Sequence, residues 1–125
     1  MAGFAFPRTE RLSGERRIGR LFAEGAGGFV FPLRYVVLAE PSPLPGVKVL
    51  VSVPKKNHKS AVRRNLLKRR MREAYRLGSL PLRKLAAQKG LDISLALVFS
   101  AKETTDYHVI EKSIRKILGE ISQGL

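Results

Sequence analysis

The sequence predicts a single α/β domain in which helices alternate with short strands around one hydrophobic core. Two observations carry this. A chain of 125 residues has room for one core and not for two. Its apolar residues fall into two kinds of segment: runs of β-branched and aromatic residues, and stretches where apolar positions recur at three- and four-residue steps. The hydrophobic fraction of 44% is ordinary for a folded protein, so disorder is not the default.

The elements follow in order. The lead around Pro7 is expected to be irregular. A first helix starts near Ser13, a possible cap, and places Ile18, Leu21 and Phe22 on one face. Gly25 stands where a left-handed helix stop belongs, and residues 25–28, Gly-Ala-Gly-Gly, are expected to form a flexible turn or loop. Residues 29–39, FVFPLRYVVLA, read as a strand that begins after Pro32 or lies at an edge there, because proline cannot donate to a ladder. A proline-stiffened turn, residues 40–46, leads to a second strand at 47–53, and the two are expected to pair antiparallel. Ser60 caps a helix over about 61–77, which stops at Gly78. A short basic stretch with Pro81 and Gly90 precedes LDISLALVF, 91–99, an apolar strand of the kind buried on both faces. Thr104, Thr105 and Asp106 offer caps for a final helix whose Tyr107, Ile110, Ile114, Ile117 and Ile121 face the core. The predicted order is helix, strand pair, helix, strand, helix.

Charge points to the partner. The net charge is +14, and residues 55–76 hold ten basic side chains against one acid, while the rest of the chain has fourteen against nine. A surface made basic for solubility alone would spread its charge; a concentrated footprint fits a polyanion. On a wheel of about 100° per residue, Leu67, Met71, Ala74 and Tyr75 share one arc of the 61–77 helix and can dock on the sheet. Asn65, Lys68, Arg69, Arg72 and Arg76 share another, with Arg63, Arg64 and Arg70 on the flanks and Glu73 the one acid to relieve them. Phosphates relieve such repulsion through counterion release.

Other chemistries are excluded or unsupported. There is no cysteine, so disulfides, thiolate catalysis and cysteine-ligated zinc are out. His58 and His108 are too few and too far apart to suggest a ligand cluster, no catalytic triad can be assembled, and the acids are scattered. The first residues lack the apolar run of a signal peptide and no segment approaches membrane-spanning length, so a cytoplasmic protein with no membrane association is expected. A DNA-binding regulator stays open as an alternative, although no helix-turn-helix spacing or coiled-coil heptad accompanies the basic helix. So does a ribosomal or assembly protein. A basic helix against an aromatic-bearing sheet better fits structured RNA or a splayed single strand.

The run SVPKKNHKSAVRRNLLKRRMREAYRL, residues 52–77, resembles the signature region of the bacterial ribonuclease P protein subunit. Its core is Arg64-Asn65, Lys68-Arg69 and Arg72-Glu73, preceded by the Lys55-Lys56 pair at the end of a strand. The likeness extends from about Arg8 to Ile121, through Arg11-Leu12 and Leu21-Phe22 of the first helix and the order of the later elements. Two positions depart from the family pattern. Leu66 stands where a further arginine is frequent, and its place near Val62 and Leu77 suggests that it packs apolar surface. Ile18 stands where the first helix commonly has an earlier aromatic, leaving Phe22.

The resemblance implies a two-layer sandwich of a mixed sheet of about four strands packed with helices, with a left-handed βαβ crossover around the signature helix, against the general handedness rule. It implies a ribonucleoprotein in which a large RNA performs the cleavage, with Mg²⁺ acting through that RNA and none bound by a protein motif. On this reading Lys55, Lys56, Arg64, Asn65, Lys68, Arg69 and Arg72 engage the ribonuclease P RNA. Ile18, Phe22 and Tyr35 line a cleft between first helix and sheet for the 5′ leader of precursor tRNA. No obligate protein partner is expected.

Overall fold

The structure, a computed structural model, describes residues 10–125, so the irregular lead expected around Pro7 lies outside the described residues. Along them run α1 (Glu15–Glu24), β1 (Ala26–Val30), β2 (Leu33–Pro41), β3 (Gly46–Ser52), α2 (Ala61–Gly78), α3 (Leu80–Lys89), β4 (Leu91–Phe99) and α4 (Tyr107–Gly124). The strands form one mixed sheet in the order β1-β2-β4-β3. β4 lies antiparallel to β2, with Leu33 opposite Phe99, and parallel to β3, with Val47 opposite Ile93.

This order corrects the expected antiparallel pairing of the second and third strands: β2 and β3, though consecutive, do not pair, because β4 lies between them. β4 is buried along residues 93–97, and such a strand is best placed where both of its edges are hydrogen-bonded and both faces covered. The parallel β3–β4 pair requires a crossover, which α2 and α3 supply.

The glycine-rich segment expected as a loop is β1, paired antiparallel with β2. Gly28 is there for fit, since a Cβ on it would stand 2.5 Å from ring atoms of Tyr35. Gly25 is extended (φ −75°), not the left-handed stop expected there. Its missing side chain lets the end of α1 approach β2, since a Cβ would meet the Leu21 carbonyl at 2.5 Å and the Val36 Cγ1 at 2.7 Å. The left-handed stop occurs at Gly90 (φ 64°), whose N–H donates to the carbonyls of Ala86 and Ala87. It ends α3, a helix where only a basic connector was expected. Pro81 sits in the first turn of α3, where its missing N–H has no helical partner to lose, and Leu82 and Ala86 are buried. The N-cap of α1 is Gly14, not Ser13.

The other caps stand where the sequence puts them. Ser60 Oγ accepts from the Arg63 N–H, and Asp106 Oδ1 accepts from the Val109 N–H. Ile110, Ile114, Ile117 and Ile121 are buried, and β2 begins directly after Pro32.

Side chains alternate across a sheet, so its faces collect different partners. One face, with Leu33, Val47, Val49, Val51, Leu95, Leu97 and Phe99, packs against Leu67, Met71 and Tyr75 of α2, Leu82 of α3 and the α4 isoleucines; this is the main core. The other carries α1 in a small cluster of Leu12, Leu21 and Ala96, with Ile18, Val36, Leu38 and Leu50 packed around it. No helix among the described residues is long and apolar enough to cross a membrane.

Candidate nucleic-acid interface

Beyond β3 the chain turns sharply, with the N–H groups of Asn57 and His58 donating to the Pro54 carbonyl at 3.2 and 3.3 Å. Lys55 and Lys56 lie exposed on this turn. His58 is 2% exposed, its Nε2 2.8 Å from the Ala101 carbonyl and its ring edge-on to Phe99 with centroids 5.4 Å apart. The buried histidine therefore anchors the basic turn to the connector after β4.

Arg64 completes the anchorage. Its Nη1 donates to the carbonyls of His58 at 3.0 Å and Lys59 at 2.9 Å. Expected as an RNA contact, Arg64 is half-buried and ties the lysine turn to the first turn of α2. Burial of Leu67, Met71, Ala74 and Tyr75 fixes the rotation of α2. That leaves Asn65 and Arg69 exposed and Lys68 and Arg72 half-buried on the outward arc. Among the described residues, Lys55, Lys56, Lys68, Arg69 and Arg72 take part in no ion pair. Two neighbours differ: Arg76 pairs with Glu73 at 2.8 Å, and Arg70 donates to the Thr105 carbonyl at 2.6 Å.

Burial, together with the nearby charge of Arg11, pushes the Arg72 guanidinium below the usual arginine range. Arg11 lies along the β3 edge, where it bridges Val49 and the next residue, Leu12, donates its N–H to the Val49 carbonyl at 3.0 Å. An anion between Arg11 and Arg72 would relieve their repulsion. Arg11 thus adds a cation near Arg72 that the helical wheel misses, since only the edge pairing brings it there.

On the other face, polar tethers hold α1. Arg17 bonds Asp92 and Ser94 on β4, and Arg20 bonds Glu40 at 2.6 Å and Glu24 at 3.3 Å. The Arg20 guanidinium in turn holds the Glu40 carboxyl below the usual carboxylate range. Ile18 is half-buried in the small cluster, and Phe22 is 50% exposed beside it. Tyr35 does not join them. It faces the main core, opposite Leu97, with its hydroxyl donating to Glu120 Oε1 at 3.0 Å. Burial, and then Glu120, raise its phenol above the usual range. The α1 face of β2 instead presents Val36 and Leu38.

Leu66 also departs from expectation. It is absent from both buried clusters and remains 40% exposed, with Val62 81% exposed, among the cations of α2.

The family model described as Ribonuclease P matches residues 6–122. The chain belongs to the ribonuclease P protein family. It is 34% identical over 122 residues to the ribonuclease P protein component of Porphyromonas gingivalis, covering 97% of this chain and 89% of that one. It is 38% identical over 106 residues to that of Chlorobaculum tepidum, covering 78% and 69%. Among solved structures, the ribonuclease P protein from Thermotoga maritima superposes with a TM-score of 0.68 at 22% identity, over 89% of this chain and 96% of that one. The Staphylococcus aureus protein gives 0.67 at 20%, over 90% and 94%. These two likenesses bear on the fold, which they share with this family member across nearly its whole length.

Proposed function

We propose that this ribonuclease P protein is an RNA-binding subunit on two surfaces, one for the catalytic RNA and one for the 5′ leader of precursor tRNA, with cleavage carried by the RNA. The observation that carries the reading is the outward arc of α2. Asn65, Lys68, Arg69 and Arg72 stand there without ion pairs among the described residues, beside Lys55 and Lys56 on a turn that His58 and Arg64 hold rigid. Preorganised cations meet phosphates without the cost of ordering long side chains on a mobile loop.

The leader surface is the α1 side of the sheet, with Ile18 and Phe22 on the helix and Val36 and Leu50 on the strands beneath. Packing or stacking of leader bases there gives a modest, sequence-tolerant affinity. A Mg²⁺ requirement met through the RNA belongs to this reading.

Reconstitution with a bacterial ribonuclease P RNA and a precursor tRNA at low Mg²⁺ tests the assignment. The protein is expected to stimulate 5′ cleavage while showing none alone. Cleavage by the RNA that is unchanged on adding the protein removes the proposal.

A further inference from the structure

Of the four phenylalanines among the described residues, Phe99 alone is buried; Phe29 and Phe31 are 58% and 60% exposed, more than Phe22 on α1. Leaving so much of two large apolar rings in water is unfavourable. Adjacent exposed rings therefore mark a surface with a use.

Their place in the sheet defines that surface. Phe29 stands opposite Arg34, Arg34 opposite Val98, and Val98 opposite Ser52, a row that crosses all four strands. Directly opposed residues share a face. The next row on that face is Gly27, Val36, Ala96 and Leu50, which includes the residues packed in the α1 cluster. The Phe29 row thus lies on the α1 side, one row beyond the point where Gly25 closes on Val36. Phe31 follows in the β1–β2 turn. Arg34 is exposed and, among the described residues, makes no ion pair. At the β3 end of the row, Ser52 leads into the exposed Lys55 and Lys56.

We propose that Phe29 and Phe31 stack unpaired bases of the 5′ leader, with Arg34 on its backbone, so that the strand continues past Phe22 across the open row to the β1–β2 turn. The inference rests on the reading that the leader lies on the α1 side of the sheet. Alternating aromatic and cationic side chains suit the bases and phosphates of a single strand. A second copy of this chain fits poorly, because it would bring a net charge of +14 against +14 and a second Arg34 against the first. The catalytic RNA is assigned to α2, which packs on the opposite face, whereas Phe29 shares its face with Ile18.

The experiment measures binding of the reconstituted holoenzyme to precursor tRNA with a leader of about 3 nucleotides, one of about 12, and none. The double variant Phe29→Ala/Phe31→Ala should lose about tenfold in affinity for the long leader and nothing for the other two. Phe29→Trp/Phe31→Trp should restore it. Both changes are at exposed positions, and a circular dichroism melt confirms folding. An unchanged long-leader affinity in a variant series where Phe22→Ala still abolishes leader discrimination overturns this proposal and leaves the leader cleft standing. Equal wild-type affinity for all three substrates overturns both. A wild-type dimer in sedimentation that dissociates in the double alanine variant overturns it in favour of self-association.

Discussion

The guanidinium of Arg17 donates through Nη2 to both carboxylate oxygens of Asp92, at 2.8 and 2.9 Å, and fastens α1 to β4, one of the two interior strands of the sheet. The contact is charge-assisted, Nε of the same guanidinium donates to Ser94 Oγ at 3.1 Å, and the two side chains of the ion pair are 29% exposed. The apolar cluster beneath α1 is small, so this pair is placed to set how far the helix stands off the strands.

Breaking it should loosen the proposed leader surface while leaving α2 untouched. Asp92→Asn is expected to lower stability by about 1–2 kcal/mol in urea unfolding. It should also weaken binding of leader-bearing precursor tRNA while leaderless tRNA binds as before. A double-mutant cycle with Arg17→Ala isolates the pair. Coupling indistinguishable from zero would mean that the apolar cluster and the remaining tethers, Arg20–Glu40 among them, hold α1 without this pair.

Arg64 and Arg69 sit five positions apart on one basic helix, and the structure gives them different work. Arg64 bonds two carbonyls of the lysine turn, whereas Arg69 points into solvent. Arg64→Lys keeps the charge and loses the planar fork. It should therefore speed hydrogen exchange in the residue 55–59 turn and weaken catalytic-RNA binding several-fold with the salt slope nearly unchanged. Arg69→Ala should leave exchange alone and make the slope of log K against log salt shallower by about one. Identical exchange and salt behaviour in the two variants would contradict the distinction.

Leu66 offers a gain-of-contact experiment. It is solvent-exposed on the cationic helix, between positions that carry arginine and lysine. Leu66 lies outside both buried clusters, and Leu66→Arg adds a cation at the surface proposed to meet RNA. The expected result is tighter catalytic-RNA binding at low salt and a salt slope steeper by about one. Unchanged affinity and slope would place Leu66 outside the contact area.

Much of this architecture was legible because it depends on local rules. The α2 helix announces itself through Ser60, an uninterrupted helical stretch and a docking arc, and α4 does so through Asp106 and its isoleucines. What the sequence concealed depends on the tertiary surroundings. The glycines of β1 look like a loop until Tyr35 needs the space above Gly28. Pro81 looks like a helix breaker until it falls in a first turn. Strand adjacency suggested β2 beside β3, because nothing local reveals that β4 will return between them. The resemblance places Tyr35 in the cleft without regard to which face of β2 it occupies. Strand parity decides its face, and a shift by one residue moves a side chain through the sheet. Arg11 and the open row through Phe29 require the sheet itself to be seen.

Tyr75 supplies a prediction that needs no RNA. Its side chain is 1% exposed in the main core, and burial, followed by the nearby carboxylate of Glu10, pushes the phenol well above the usual tyrosine range. The protonated phenol is neutral, so the folded protein keeps this proton at a pH where the unfolded chain, ionising near its ordinary value of 10.0, has released it. Above that pH the unfolded state binds fewer protons, and stability falls as pH rises, by at most about 1.4 kcal/mol per pH unit from one group. Below it the contribution is flat. Tyr75→Phe keeps the ring and removes the titration. The raised phenols of Tyr35 and Tyr107 are present in both proteins and cancel in the comparison. Urea unfolding from neutral pH upward should thus give a constant difference between wild type and Tyr75→Phe until about pH 10, then a growing shift in favour of the variant. Parallel curves through the alkaline range would show that Tyr75 ionises without unfolding the core around α2.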